Sequence, residues 1–210
     1  MTQPSFVFLG PPASGKGTQG RRLAEQGGFS YLSTGGLLRS ALRDQSELGE
    51  KARPFLDRGE YVPDEVMVPM VLDWLIAHPE KIILDGFPRT IAQAETLDRA
   101  FERSLRQLPQ VVYLDVPFEE LERRVQGRLE CGNCHWVTSK GKAISCSKCG
   151  GKMVPRVDDD TERFKSRFNE FERLTAPLLN YYEKSQRLLR IPAVGSPDTI
   201  HVNILSQLSH

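Results

Sequence analysis

Cysteine is missing from this chain except between Cys131 and Cys149, where all four copies fall. A secreted disulfide framework spreads its cysteines to staple distant elements, so this confinement excludes one. No apolar run approaches the ~20 residues of a membrane-crossing helix. Charge of one sign is also missing: 28 basic against 27 acidic residues leave +1, neither a polycation for nucleic acid nor an acidic tail. The opening Met1-Thr2-Gln3-Pro4-Ser5-Phe6 carries no charged leader ahead of a long apolar stretch. The expectation is a cytoplasmic chain with no membrane and no nucleic-acid partner. At 210 residues it suits one domain with insertions and a sizeable core.

What is present begins at Gly10-Pro11-Pro12-Ala13-Ser14-Gly15-Lys16-Gly17-Thr18, directly after the apolar run Ser5–Leu9. A buried strand that turns through glycines into a lysine and then a helix is a phosphate cradle. Backbone N–H groups point inward, the helix N-terminus adds positive potential, and Lys16 reaches the outer phosphates. The bland alternative is a glycine-rich turn that binds nothing. The general pattern places Ser or Thr straight after the lysine, and here Gly17 intervenes before Thr18.

Strand and helix patterns alternate along the chain. Lys81–Leu84, Val111–Leu114 and, more weakly, Leu188–Ile191 read as strands buried on both faces. Helical patterns cover Thr34–Arg43, Asp64–Ala77, Thr90–Leu105, Pro117–Gly127 and Pro197–Leu208, with one long amphipathic helix expected from about Asp160 to Ser185. In that helix Phe164, Phe168, Phe171 and Leu174 mark the core face. This is an α/β chain with a doubly wound parallel sheet, whose ligands sit beyond the carboxyl ends of the strands. Asp85 follows the second strand at such an end. Two segments interrupt the alternation and read as insertions over the cleft. One, residues 33–62, is helical and polar with no strand of its own. The other, residues 127–161, is rich in Cys, Gly, Lys and Ser. Residues 1–32, 63–126 and 162–210 form the core.

Cys131-Gly132-Asn133-Cys134 and Cys146-Ser147-Lys148-Cys149 are two Cys-x-x-Cys knuckles. Facing one another, they close a four-sulfur zinc site with no open coordination position, hence a structural metal. A redox pair or two local disulfides are the alternatives. His135 could swap in as a ligand, but four cysteines make it redundant. His78, His201 and His210 carry no pattern, and surface positions are expected for them. Asp158-Asp159-Asp160 reads equally as a solvated helix start or as carboxylates that orient Arg128 or Arg156.

Basic groups at Lys16, Arg39, Arg89, Arg124, Arg128, Arg156 and Arg167 fall around the strand ends and the two insertions. Singly, each arginine reads as a solvated surface charge. Beside a phosphate loop, a converging set is what phosphoryl transfer requires. With Ser33-Thr34-Gly35, Asp85-Gly86-Phe87-Pro88-Arg89-Thr90, Gln93, Gly127-Arg128 and Thr175-Ala176-Pro177-Leu178, the chain resembles the adenylate kinase family from about Phe6 to Gly195. Gly17, odd for a generic loop, is what this family carries, and the cysteine segment resembles its zinc-bearing lid.

The resemblance implies a kinase that moves a phosphoryl group reversibly from magnesium ATP to AMP, giving two ADP, in a monomeric protein. It places ATP along Ala13, Ser14, Gly15, Lys16, Gly17 and Thr18, with Arg124 and Gly195 at its base and Val137 and Thr138 beside it in the lid. Asp85 would hold magnesium through water. AMP would sit against Thr34, Arg39, Glu60, Tyr61, Val62 and Gly86, its phosphate on Arg89 and its base on Gln93. Arg128, Arg156 and Arg167 would close over the phosphates, and Cys131, Cys134, Cys146 and Cys149 would hold zinc. Four departures stand out: Gly36 where the family usually has Asp, Ala13 where glycine is common, Val137-Thr138 where Thr-Tyr is common, and a spacer between the cysteine pairs that is shorter than the family's. A UMP/CMP or GMP kinase on the same scaffold is one rival reading, and Gln93 argues for adenine against it. A nucleotide-dependent nucleic-acid-binding protein is the other, opposed by the near-zero net charge.

Overall fold

The apolar runs form strands, and helices cover both of their faces. The computed structural model describes residues 4–139, 144–156 and 159–208, so Asp158 and His210 lie outside the described residues. In chain order the elements are β1 (Phe6–Leu9), α1 (Lys16–Gly27), β2 (Ser30–Ser33), α2 (Thr34–Arg43), α3 (Glu47–Arg58), α4 (Asp64–Ala77), β3 (Ile82–Asp85), α5 (Ile91–Arg103) and β4 (Gln110–Asp115). Then come α6 (Phe118–Gln126), β5 (Arg128–Cys131), β6 (Val137–Ser139), β7 (Met153–Pro155), α7 (Thr161–Glu170), α8 (Pro177–Lys184), β8 (Leu188–Pro192) and α9 (Pro197–Leu208).

Five strands pair in the order β2-β3-β1-β4-β8, all parallel. β1 lies at the centre, with Val7 opposite Leu84 on one side and Val111 on the other. Period-two alternation divides its residues between two cores. Phe6 and Phe8 pack with Leu23, Ile83, Val112, Leu121 and Ile204, whereas Val7 and Leu9 pack with Val71, Leu84, Leu97, Leu178 and Tyr182. With both faces covered, β1 and β3 have no exposed residue, as a continuous apolar run requires.

β2 is an addition to the sequence reading, which finds no strand there. It is an edge strand, bonded to β3 alone, and only Leu32 of its four residues is buried. A Ser-Tyr-Leu-Ser edge carries too little apolar signal to stand out. It matters because it ends at Ser33, whose hydroxyl accepts from the Gly36 N–H and caps α2 beside Asp85.

The long helix expected from Asp160 to Ser185 is present as α7 and α8 joined by a π-turn, with helical backbone throughout. Pro177 has no N–H to donate, and the Ala176 N–H donates five residues back to the Phe171 carbonyl at 2.8 Å. The resulting π-turn over Phe171–Thr175 buries Thr175 and leaves Leu174 half-buried, so Leu174 is not the core residue the spacing suggests. The expected surface position of His201 is also corrected. It is buried in α9, between the side-chain oxygens of Gln19 at 3.1 Å and Gln26 at 2.7 Å.

α2 and α3 pack together over Leu38, Ala52, Val62 and Met67. β5 is the middle strand of a small antiparallel sheet, β6-β5-β7. Its residues alternate in surroundings. Leu129 and Cys131 join Cys146, Met153 and Trp136 in a small apolar cluster, while Arg128 and Glu130 enter ion pairs.

Candidate active site

The loop from Gly10 to Gly15 wraps the N-terminus of α1, with Gly10 at φ +148° and Gly15 at φ +99°. Ala13, one of the departures, takes φ +66°, a conformation that costs a non-glycine residue about 1–2 kcal/mol. Lys16 Nζ donates to the carbonyls of Gly10 (2.6 Å) and Pro11 (2.7 Å) and to Ser14 Oγ (3.3 Å). Burial pulls its pKa down to about 7, opposed by Asp85 and helped by Arg89, Arg128 and Arg167. The neighbours of Gly17 stand at ordinary contact distance and do not by themselves demand glycine. A Cβ there would meet Asp85 Oδ2 at 3.4 Å and Tyr31 Oη at 3.7 Å.

Asp85 ends β3 almost fully buried, its Oδ2 accepting from Tyr31 (2.8 Å) and Ser33 (3.2 Å). Thr34 donates to the Gly86 carbonyl at 2.9 Å. Arg89 donates from Nε to the same carbonyl at 2.7 Å and lies over the Tyr61 ring at 4.4 Å. Thr175, delivered by the π-turn, donates to the Arg89 carbonyl at 3.0 Å and stands 3.0 Å from Tyr61 Oη. Gln93 accepts from the Arg89 N–H at 2.7 Å and donates to Asp64 at 2.5 Å.

Arg124 spans the loop and the end of β8, donating to the carbonyls of Ser14 (3.2 Å) and Ala193 (2.7 Å) and to Glu120 (2.8 Å). In the cysteine segment two buried carboxylates hold four arginines. Asp159 pairs with Arg128 through both its oxygens and with Arg167 at 3.1 Å. Glu130 pairs with Arg156 and, at 3.5 Å, with Arg39. Burial pushes the Glu130 pKa up, but Arg156, Arg39 and His135 together hold it below the usual carboxylate value. Asp160 instead caps α7 by accepting from the Arg163 N–H. The acidic run therefore serves both ends left open above, divided between neighbouring residues.

Most of the cationic groups and the loop line one cavity of about 1050 Å³. It gathers Ala13 to Thr18 with Arg39, Tyr61, Asp85, Gly86, Arg89, Arg124, Arg128, Val137, Thr138, Arg156, Arg167 and Gly195. Trp136 and Lys148 line it too, and the sequence reading missed them; the lysine lies over the indole at 4.9 Å. Val62 and Gln93 do not reach this cavity. They line a neighbouring space of about 10 Å³ with Leu38, Leu56, Tyr61 and Met67. Thr34 is fully buried and lines neither cavity, and Glu60 pairs with Arg58 at 2.7 Å.

The four cysteines are free thiols with their Sγ atoms all within 4.8 Å of one another. Cys131 and Cys149 stand at 3.5 Å, Cys134 and Cys146 at 3.6 Å. Four sulfurs ~2.3 Å from a tetrahedral zinc would lie ~3.8 Å apart, so the cluster fits that ion. Backbone N–H groups of Asn133 and Lys148 point at Cys131 and Cys146, as thiolates require. His135 is turned out of the cluster: Nδ1 lies 2.7 Å from Glu130, Nε2 3.1 Å from Ser40 Oγ and 3.2 Å from Arg43. It is not a ligand in this arrangement.

The family model for adenylate kinase matches residues 8–187. An adenylate kinase of Thermodesulfovibrio yellowstonii is 41% identical over 97% of this chain and 98% of its own length. That of Archaeoglobus fulgidus is 41% identical over 86% of each, and one from Dehalococcoides mccartyi is 38% identical over 97% of each. A phosphate loop, a ring of arginines facing it and near full-length similarity thus agree, and this chain belongs to the adenylate kinase family.

Proposed function

We propose that this nucleoside monophosphate kinase uses the large cavity to transfer the γ-phosphoryl group of ATP to AMP, with the two nucleotides end to end. The observation that carries this reading is the facing of Lys16 and the loop amides by Arg39, Arg89, Arg128, Arg156 and Arg167 across a single space of about 1050 Å³. That volume lies at the upper end of the ~300–1,000 Å³ typical of ligand pockets. ATP lies along Ala13 to Thr18, its base between Arg124, Gly195 and the lid residues Val137 and Thr138. AMP enters between Arg39, Tyr61, Gly86 and Arg89, with Gln93 reading its base. The ~10 Å³ space beside Gln93 holds no base, so AMP entry requires α2 and α3 to shift away from α4.

A phosphate oxygen of AMP forms the new P–O bond while the β–γ bridging bond of ATP breaks. The acceptor is already anionic at neutral pH, so no general base is needed. The protein's residues neutralise charge, align the groups and exclude water. Asp85, an oxygen donor steadied by Tyr31 and Ser33 at the cavity floor, suits water-mediated magnesium. That ion would supply charge neutralisation across the phosphates. The four-cysteine cluster would hold zinc and so fix the lid, taken as residues 127–161, with 33–62 as the AMP-side insertion on the core. We infer a cytoplasmic monomer; among the described residues no helix is long and apolar enough to cross a membrane.

The test is turnover with ATP against AMP, UMP, CMP and GMP. AMP gives the highest kcat/KM and two ADP per turnover. A preference for UMP or GMP would overturn the assignment of the acceptor.

A further inference from the structure

Glu130 takes part in none of the transfer roles above, and the sequence reading did not single it out. It is 4% exposed, on the middle strand of the lid sheet. Its carboxylate meets three groups: Arg156 of the lid, Arg39 of α2 and Nδ1 of His135. The far nitrogen of that histidine continues to Ser40 and Arg43, also on α2. The lid and α2 are therefore joined through one continuous polar chain, and Arg39, Ser40 and Arg43 present one helical face to it.

The direction in which Arg39 is held decides what this chain does. Glu130 accepts a hydrogen bond from Arg156 Nε and forms an ion pair, without a hydrogen bond, with Arg39 Nε at 3.5 Å; it does not itself line the cavity, whereas both arginines do. Arg39 Nη1 lies over Gly35 at the start of α2: a Cβ there would be 3.3 Å from it and 4.0 Å from Arg89 Nη2. The guanidinium ends of Arg39 and Arg89 thus converge where the helix N-terminus favours an anion. Glu130 braces one of them from behind.

We propose that Glu130, with His135, is a positioning residue reaching from the lid that aims Arg39 at the AMP phosphate, so that lid closure over ATP completes the AMP subsite. This rests on the assignment of AMP to the Arg39–Arg89 side. It follows that the two nucleotides help each other bind, and that Glu130 carries a measurable part of that coupling.

The experiment compares the Kd for AMP with and without a non-transferable β,γ-imido analogue of ATP, in the wild type, Glu130→Gln and Ser40→Ala. Wild-type protein binds AMP more tightly with the analogue present. Glu130→Gln keeps the shape but loses the charge shared with two arginines, and its coupling factor falls about tenfold, the value of one charge-assisted hydrogen bond. Its Kd for AMP alone stays within about twofold, because the lid need not be closed in that measurement. Ser40→Ala leaves the lid and its cysteines untouched, severs one contact of His135 with α2, and lowers the factor about threefold. Zinc content and Tm are measured on each variant. Should Glu130→Gln lose zinc or unfold, Ser40→Ala decides: wild-type coupling there refutes the proposal. Unchanged coupling in a folded Glu130→Gln also refutes it. So does an equal loss of AMP affinity without the analogue, or tighter AMP binding, which would make Glu130 a competitor of the phosphate. Failure of the wild type to bind or phosphorylate AMP would instead strike the functional assignment itself.

Discussion

The most quantitative consequence concerns the proton on Lys16. Its ammonium faces three acceptors, the carbonyls of Gly10 and Pro11 and Ser14 Oγ, while burial and three neighbouring arginines pull its pKa down to about 7. Asp85 is the one opposing charge. Nucleotide phosphates arriving at the loop add negative charge and return the group toward its ordinary ~10.4. The sign follows from the two values. Above about 7 the free protein has shed the proton and the complex keeps it, so binding takes up a proton and weakens as pH rises. At pH 8 a group of pKa about 7 is about 0.9 deprotonated, and at pH 6 about 0.1. ATP binding with magnesium in excess should therefore take up about 0.9 proton at pH 8 and about 0.1 at pH 6. Its Kd should rise about tenfold per pH unit above 7, or about 1.4 kcal/mol. Calorimetry in two buffers of different ionisation enthalpy reads the proton count directly. Lys16→Met, titrated identically, removes the contribution of the nucleotide's own groups. Equal proton uptake by wild type and Lys16→Met from pH 6 to 9 would refute the reasoning.

Two further outcomes are expected. In Gly49→Ala the new Cβ falls against the Ala41 carbonyl and 2.7 Å from the Leu42 nitrogen, so α3 must move off α2. That overpacking costs about 1–3 kcal/mol, a Tm drop of about 2–10 °C, and raises KM for AMP well above its effect on ATP; an unchanged Tm would contradict it. Removing the metal with a chelator should lower the thermal stability of the lid, and activity should fall only as far as the lid unfolds, followed by Trp136 fluorescence in a Trp74→Phe background, since the chain has two tryptophans. Abolished transfer in metal-free protein whose Trp136 signal is intact would show the metal acting on substrate.

Much of this arrangement is legible in the sequence because its signals are local. β1, β3 and β4 are apolar runs whose partners cover both faces, and the loop and knuckles are short motifs with fixed spacing. What escapes is set by partners distant in sequence. Tyr31 reads as unremarkable, and Ser33 as one letter of a motif with no role of its own, until β2 pairs with β3 and brings both to Asp85. Thr175 stands out in the sequence only as part of a motif, with no role attached, until the π-turn brings it to the Arg89 carbonyl. His201 has no motif, and its two glutamine partners lie more than a hundred residues away. Glu130 is one acid among 27, marked only by the arginines that fold around it, whereas Asp159 stands in a run whose role the sequence leaves open.

The four residues of β5 carry two chemistries on opposite faces: Leu129 and Cys131 toward the sulfur cluster, Arg128 and Glu130 toward the arginines. A strand's period of two makes parity, rather than composition, the quantity under constraint. Lengthening the chain by one residue between Gly127 and Cys131 would send either the first thiolate to the phosphate side or Arg128 into the sulfur cluster. Lengthening by two would restore the sidedness at the cost of reach. A change of length here should therefore be tolerated even less than a substitution: Arg128, Glu130 and Cys131 are each held by partners of their own, and only Leu129 is free to drift among apolar letters.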